Sequence, residues 1–166
     1  REPLTRILMD LQARGLLPER ITHNDTKINN VLMDEATGRG LCVIDLDTVM
    51  PGLSLYDFGD LVRTAVSPTA EDERDLSRVQ VRTPFFAALV EGYLEGVGPV
   101  LTPAEIAHLP AAGLLITFEV GLRFLTDHLN GDTYFKIHRP GQNLDRCRTQ
   151  FALVQRLEEQ HDELQA

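Results

Sequence analysis

The chain has 166 residues, of which 43% are hydrophobic and 6% aromatic, and this length predicts one domain with a substantial core. Its formal net charge of −9 argues against nucleic acid and against an anionic membrane surface as partners. The sequence shows neither a signal peptide nor an apolar run long enough to cross a bilayer, so we expect a cytoplasmic protein.

Apolar residues at helical spacing, in segments separated by proline and glycine, predict that most of the chain is helical. Leu4, Ile7, Leu8 and Leu11 recur at helical spacing and predict a first helix. Further helices are predicted over residues 55–65, 84–95, 112–130 and 144–163. Thr102 and Glu105 have the spacing of a capping box, with proline between them at the first helical position.

The two cysteines are too few to predict a disulfide framework. Cys42 falls in a predicted strand and Cys147 in the last predicted helix. We therefore expect both to be buried, reduced thiols that pack in the core.

Residues 23–30 read H-N-D-T-K-I-N-N and have the H-x-D-x-x-x-x-N spacing of a kinase catalytic loop. In such a loop Asp25 accepts or orients the proton of an attacking hydroxyl, and the amide oxygen of Asn30 binds Mg²⁺ on the phosphate side. Lys27 is expected to reach the transferred phosphoryl group and offset its charge. His23 is expected to brace the loop by hydrogen bonds.

A second acidic residue follows a short apolar strand. Residues 41–44 form an apolar run that stops at Asp45, and a glycine-containing turn separates this run from residues 31–33. The two runs predict a hairpin that places Asp45 beside Asn30, where Asp45 would bridge Mg²⁺ to nucleotide phosphates. The literal D-F-G that begins at Asp57 comes after this strand, and Asp57 is better interpreted as a helix N-cap.

These motifs together resemble the aminoglycoside phosphotransferase and choline kinase superfamily, whose members carry H-x-D-x-x-x-x-N and then I-D. Within that superfamily the chain is most similar to N-acetylhexosamine 1-kinases. The resemblance is carried by residues 22–32, 43–52, 56–60, 118–127 and 131–136.

The resemblance implies an α+β fold: a mostly helical, protein-kinase-like C-terminal lobe with a small catalytic β-hairpin. It implies Asp25 as catalytic base, Asn30 and Asp45 as metal ligands, and Mg²⁺ and ATP as cofactor and phosphoryl donor. The β-rich N-terminal lobe of such kinases is not visible in the sequence. We therefore expect residues 1–166 to form a C-terminal lobe that is catalytic and binds the acceptor.

One helix face and the segment after it are candidates for the acceptor pocket. Glu119, Arg123 and Asp127 recur every four residues, which fits either a pair of surface salt bridges or a pocket wall. The substrate-binding set that we predict is Asp47, Arg123, Asp127, Asp132, Tyr134 and Lys136. Asp47 could equally be an exposed turn residue, and Arg139, Arg146 and Arg148 are interpreted as solvated charge.

The predicted function is Mg²⁺-dependent transfer of the ATP γ-phosphoryl group to a hydroxyl of a small molecule, specifically the anomeric hydroxyl of an N-acetylhexosamine. One alternative is a kinase of another small alcohol: choline, homoserine or an aminoglycoside. Others are a non-catalytic, kinase-derived binding module and an inactive fragment. The roles of Asp57 and Asp60 are open between helix capping and fixing the catalytic loop.

Overall fold

The computed structural model describes residues 2–165 and shows a mostly helical chain with two small sheets. The α-helices of the described residues are α1 (Ile7–Ala13), α2 (Ser54–Ala65), α3 (Thr83–Val97), α4 (Pro103–Ala107), α5 (Leu109–Leu129), α6 (Gln142–Glu159) and α7 (His161–Gln165). The strands are β1 (Arg20–Thr22), β2 (Val31–Met33), β3 (Gly40–Val43) and β4 (Met50–Gly52). The expected fold class, a mostly helical kinase-like C-terminal lobe, is confirmed.

Two antiparallel strand pairs surround the catalytic loop. β2 and β3 form the predicted hairpin, with Val31 opposite Val43 and Leu32 opposite Cys42. β1 pairs with β4, with Thr22 opposite Met50, and this pair was not predicted because each strand has only three residues. The loop of residues 23–30 therefore starts at the end of one sheet and ends at the start of the other.

Helix α5 is the centre of the core and packs against both α2 and α6. Small residues let α2 and α5 approach closely, since a Cβ on Gly113 would lie 2.7 Å from Val62 Cγ1 and a Cβ on Gly59 would collide with Ile116. Val62 is fully buried at this crossing, and Phe58 of α2 is fully buried with its ring against Phe86 and Tyr93 of α3. This packing fixes α2, which carries Asp57, Asp60 and Arg63, against α5.

The expectation that no apolar run is long enough to cross a bilayer is wrong, because α5 is sufficiently long and apolar by length and composition alone. Half of its most apolar window is buried inside the fold. Because its neighbours are α2 and α6, it is here the core helix of a globular arrangement.

Several helix boundaries differ from the prediction. The last predicted helix is interrupted at Gln160 into α6 and α7, and α3 runs through Gly96 to Val97 because the exposed helix tolerates glycine there. The capping box is confirmed, since Thr102 Oγ1 accepts from Glu105 N at 3.1 Å and Glu105 accepts from Thr102 N at 2.6 Å.

The strand β1 is connected to α4 by an ion pair between the partly exposed Arg20 and the buried Glu105. Arg20 of β1 donates to both carboxylate oxygens of Glu105, at 2.7 and 2.8 Å, and to the carbonyl of Val100. Ser54, the first residue of α2, donates to the same carboxylate at 2.6 Å. Burial acts to raise the pKa of Glu105, but the hydrogen bonds from Arg20, Ser54 and Thr102 outweigh it and lower the pKa to about 2.

The prediction that Cys42 is a buried core thiol is wrong, whereas that for Cys147 is confirmed. All four residues of β3 are exposed, so neither face of this strand is buried in the core. The alternation of side chains along β3 therefore does not divide them into a buried face and a solvent-exposed face.

Candidate active site

The catalytic loop brings its three chemical groups together. The Nζ of Lys27 lies 2.6 Å from Asp25 Oδ2, and the Nδ2 of Asn30 donates to the same oxygen at 2.9 Å and to the Asp25 carbonyl at 2.8 Å. Asn30 is buried, while the side chains of Asp25 and Lys27 are 27% and 36% exposed and remain open to a ligand. One carboxylate oxygen thus receives both a cation and an amide donor.

These donors set the basicity of Asp25. Partial burial acts to raise the pKa of Asp25, but the hydrogen bonds from Lys27 and Asn30 and the charge of Lys27 outweigh it. The pKa of Asp25 therefore lies below its ordinary value, and the group is ionised at neutral pH.

Asp57 of α2 fixes the start of the loop. Its Oδ2 accepts the N–H of His23 at 2.8 Å, its Oδ1 accepts the N–H of Asn24 at 2.7 Å, and Thr26 Oγ1 donates to its carbonyl at 2.5 Å. The N-cap of α2 is Leu53, so the interpretation of Asp57 as a helix cap is wrong, and the alternative, that Asp57 fixes the loop by accepting its N–H groups, is confirmed. Burial raises the pKa of Asp57, partly offset by these two N–H donors.

His23 connects the loop to the end of β3. Its Nδ1 accepts the N–H of Asp25 at 3.3 Å, which leaves Nε2 to donate to the carbonyl of Ile44 at 3.0 Å. Its own carbonyl accepts from Thr48 Oγ1 at 2.6 Å. His23 thus has the bracing contacts that the sequence predicted, with both ring nitrogens occupied.

Asp45 follows Ile44, the residue that His23 contacts, and has a left-handed backbone conformation with φ of 63°. Its Oδ2 is 3.9 Å from Lys27 Nζ and its side chain is 48% exposed. The N–H of Ile44 donates to the carbonyl of Asn30 at 2.9 Å, which holds the two predicted metal ligands in register.

Asn30 and Asp45, the two predicted metal ligands, suit a magnesium ion whose other ligands are not protein side chains. The Nδ2 of Asn30 donates to Asp25, so the amide is oriented with Oδ1 as the atom that could bind a cation. Within residues 2–165 no group of three or more His, Cys, Asp or Glu side chains could hold a metal alone. Mg²⁺ commonly takes one or two protein oxygens and completes its shell with water and phosphate oxygens, so the donor set fits.

A cavity of about 760 Å³ opens beside Asp25 and Lys27. Its far side is formed by α5 and by residues 134–136, which we call the acceptor loop. Arg123 of α5 lies there with its guanidinium 5.8 Å from the Tyr134 ring and 5.5 Å from the Phe135 ring. The residues that line it include Asp25, Lys27, Asp60, Arg63, Glu71, Glu119, Arg123, Tyr134, Phe135, Lys136 and Arg146.

A chain of alternating charges crosses the cavity wall. Arg63 Nε binds Asp60 Oδ1 at 2.7 Å, Arg63 Nη1 binds Glu71 Oε1 at 2.6 Å, and Arg146 Nε lies 3.4 Å from Glu71 Oε2. Burial acts to lower the pKa of Arg63, but the two carboxylates outweigh it and raise the pKa. Asp60 is therefore occupied by Arg63, and neither capping nor loop fixing describes its contacts.

The structure divides the predicted substrate residues into two groups. Arg123, Tyr134 and Lys136 line the cavity together with Asp25 and Lys27. Asp47 lies in the exposed turn Leu46–Thr48, and Asp127 and Asp132 lie behind the acceptor loop, outside the cavity lining.

Sequence reasoning missed Arg63 and Glu71 and interpreted Arg146 as solvated, although all three line the cavity. The signal for Arg63 was its position three residues after Asp60 on a predicted helix. No local signal relates Glu71 to Arg146, because they meet only when the loop before α3 packs on α6.

Comparison with known families adds an independent observation. A family model described as the phosphotransferase enzyme family matches residues 1–107, which is more than half of the chain. The matched range contains the catalytic loop, the β2–β3 hairpin and α2.

Proposed function

Because the chain belongs to the phosphotransferase enzyme family, we propose that it transfers the γ-phosphoryl group of ATP to a hydroxyl of a small molecule. The acceptor that we propose is an N-acetylhexosamine, phosphorylated at its anomeric hydroxyl. The observation that carries the proposal is the position of Asp25, which faces the large cavity while Lys27 links it to Asp45.

Asp25 is suited to orient the acceptor. Its lowered pKa makes it a weak base, so it holds the attacking hydroxyl in line and accepts the proton late. Phosphoryl transfer passes through a loose transition state in most analyses, and positioning contributes more than early deprotonation. The N–H contacts of Asp57 and the ring of His23 keep Asp25 in place.

Lys27 and the two oxygen ligands are suited to the phosphate side. The Nζ of Lys27 lies between Asp25 and Asp45, where it can stabilise the negative charge of the phosphoryl group during its transfer from donor to acceptor. Asn30 Oδ1 and the Asp45 carboxylate would hold Mg²⁺, which supplies charge neutralisation on the phosphates of the donor.

The charges of the cavity disfavour a polycationic acceptor. Its lining contains five cationic side chains (Lys27, Arg63, Arg123, Lys136 and Arg146) and four acidic ones (Asp25, Asp60, Glu71 and Glu119). An aminoglycoside carries several ammonium groups and needs an excess of carboxylates, so a neutral or anionic acceptor fits better.

The polar and aromatic groups of the cavity favour a sugar. Arg123, Lys136 and Glu119 offer donors and acceptors to hydroxyl groups, and Tyr134 and Phe135 provide ring faces beside them. Sites that combine fixed hydrogen-bonding groups with aromatic rings bind hydroxyl-rich ligands, and they reject analogues that leave a buried polar group of the site unpaired. The acetamide group of an N-acetylhexosamine adds one apolar methyl for the aromatic wall.

The test is an acceptor screen on the full natural protein with ATP and Mg²⁺. N-acetylglucosamine and N-acetylgalactosamine are compared with glucose, choline, homoserine and kanamycin, and the product is identified by phosphorus NMR. We expect sugar 1-phosphate from the N-acetylated sugars, and its loss in Asp25→Asn. Phosphorylation of choline, homoserine or kanamycin in preference to the sugars contradicts the acceptor assignment. Absence of any turnover contradicts the kinase proposal as a whole.

A further inference from the structure

Asp127 occupies an unusual place for a carboxylate. It lies in the last turn of α5, where the helix dipole disfavours negative charge, and only 5% of the residue is exposed. Such a position costs stability unless the carboxylate has strong hydrogen-bond donors. The reason for an acidic residue here must therefore lie in its contacts.

Those contacts are backbone N–H groups of the acceptor loop and the residue before it. Asp127 Oδ1 accepts from Thr133 N at 2.9 Å and from Tyr134 N at 2.8 Å, and Oδ2 accepts from Phe135 N at 2.9 Å. Burial acts to raise the pKa of Asp127, but these hydrogen bonds and one from Asn143 outweigh it and lower the pKa. The anion is thus solvated by the loop itself.

Helix α6 completes this arrangement. Asn143 is fully buried, and its Nδ2 donates to Asp127 at 2.8 Å and to Asp132 at 2.9 Å. Arg146 donates from Nη1 to Asn143 Oδ1 at 2.8 Å and to the carbonyl of Lys136 at 3.1 Å. The loop is therefore fixed at both of its ends, by α5 through Asp127 and by α6 through Arg146.

The loop that Asp127 holds carries a large part of the cavity wall. Tyr134, Phe135 and Lys136 all line the cavity, and the Phe135 ring packs on Phe124 with centroids 4.6 Å apart. Asp127 itself is outside the cavity lining. A shift of the loop would move these three side chains relative to Arg123 without moving the catalytic loop.

We infer that Asp127 is a positioning residue for acceptor recognition: by binding the N–H groups of residues 133–135 it sets the shape of the acceptor side of the cavity. The inference rests on the proposed function, because it assigns this wall to the acceptor. It separates acceptor recognition, which depends on α5, α6 and the loop, from the phosphate side, which depends on residues 23–30 and Asp45.

The test compares Asp127→Asn with Asp132→Asn in the full natural protein. Both substitutions remove one negative charge from the same region, but Asp132 accepts from Asn143 and is not an acceptor of the N–H groups of residues 133–135. Asp132 has a φ of 57°, a conformation that asparagine adopts readily, so the control introduces little strain. Asn143→Ala keeps the carboxylate of Asp127 but removes one of its donors, together with the bonds of Asn143 to Asp132 and Arg146.

The first readout is amide hydrogen exchange at residues 133–135. Asp127→Asn removes a charge-assisted acceptor from these N–H groups, so we expect their exchange to accelerate about tenfold or more. Asp132→Asn should retain the wild-type exchange rates at these amides. Unchanged exchange in Asp127→Asn overturns the inference, and this readout requires no enzymatic activity.

The second readout separates recognition from general destabilisation. With N-acetylglucosamine and N-acetylgalactosamine as acceptors, we expect the acceptor KM of Asp127→Asn to rise about tenfold and the KM for ATP to stay within about twofold. Equal changes in both KM values overturn the inference, because they indicate a structural role alone. If Asp127→Asn does not fold, Asn143→Ala must show the same direction of change, and its failure to do so overturns the inference.

These outcomes are distinguishable from failure of the proposed function. A wild-type protein that phosphorylates neither sugar overturns the acceptor assignment. The exchange rates then still decide whether Asp127 holds the loop.

Discussion

The carboxylate of Asp57 accepts the backbone N–H of His23 at 2.8 Å across 34 residues of sequence. A second bond to Asn24 N uses the other oxygen, so one helical side chain fixes two consecutive peptide groups just before Asp25. Asn24 has a positive φ of 62°, a conformation that asparagine adopts readily, and the bond from its N–H to Asp57 holds it there. The D-F-G letters at Asp57 thus mark a residue that fixes the loop of residues 23–30.

We expect Asp57→Asn to reduce kcat about 10- to 100-fold, because an amide offers one oxygen to two N–H donors and the loop shifts. Steady-state kinetics of the phosphoryl transfer measure this effect. Asp10→Asn, on the exposed face of α1, removes the same charge and should leave kcat unchanged. A wild-type kcat in Asp57→Asn shows that the loop keeps its conformation without this anchor.

The lowered pKa of Glu105 predicts a specific loss of folding stability in acid. Because its folded pKa is about 2, against an ordinary 4.5, the charge stabilises the fold above about pH 4.5, and this contribution is lost as the pH falls from 4.5 towards 2. The shift corresponds to about 3 kcal/mol. Urea unfolding of wild type and Glu105→Gln between pH 6 and 3 measures it.

The free energy of unfolding should differ most between the two proteins at pH 6, and the difference should shrink towards pH 3. The variant isolates the contribution of Glu105 because all other carboxylates are common to both proteins. A difference that is independent of pH shows that the Arg20–Glu105 pair does not depend on the ionisation of Glu105.

Two glycine substitutions should have opposite effects. Gly59→Ala introduces a Cβ that collides with Ile116 at the α2–α5 crossing and should lower the free energy of unfolding by about 1–3 kcal/mol. Gly92→Ala lies in α3 with open space around it and should raise the free energy of unfolding by about 0.5–1 kcal/mol, because alanine favours the helix. Thermal unfolding of both variants tests the pair, and equal effects of the same sign refute the packing argument.

Arg123→Lys should weaken acceptor binding. The guanidinium of Arg123 lies near the rings of Tyr134 and Phe135, and an ammonium group cannot reproduce its planar contacts and paired donors. We expect the acceptor KM to rise about 3- to 30-fold with little change in the KM for ATP. Arg148→Lys, at a side chain that is 57% exposed, is the control. An unchanged acceptor KM in Arg123→Lys removes Arg123 from the proposed sugar contacts.

Local sequence patterns predicted the elements whose physical causes are local. The capping box at Thr102, the β2–β3 hairpin and the helical core segments follow from turn chemistry, capping and periodicity within a few residues. The β1–β4 pair was missed because three-residue strands have no periodicity of their own. Cys42 was misassigned because alternation predicts a buried face only where another element covers the strand.

The sequence by itself determined the loop of residues 23–30, which we propose to be catalytic, and the helix that carries Arg123. The spacing of residues 23–30 forces Asp25, Lys27 and Asn30 into reach of one another, since the groups lie within one short loop. Only the tertiary structure decided the roles of Asp57, Glu71 and Asp127. The donors to these carboxylates come from segments distant in sequence or from backbone N–H groups, and backbone N–H groups carry no sequence signal. A pattern of side chains can predict which residues carry chemistry, but it cannot predict which peptide groups a carboxylate will hold.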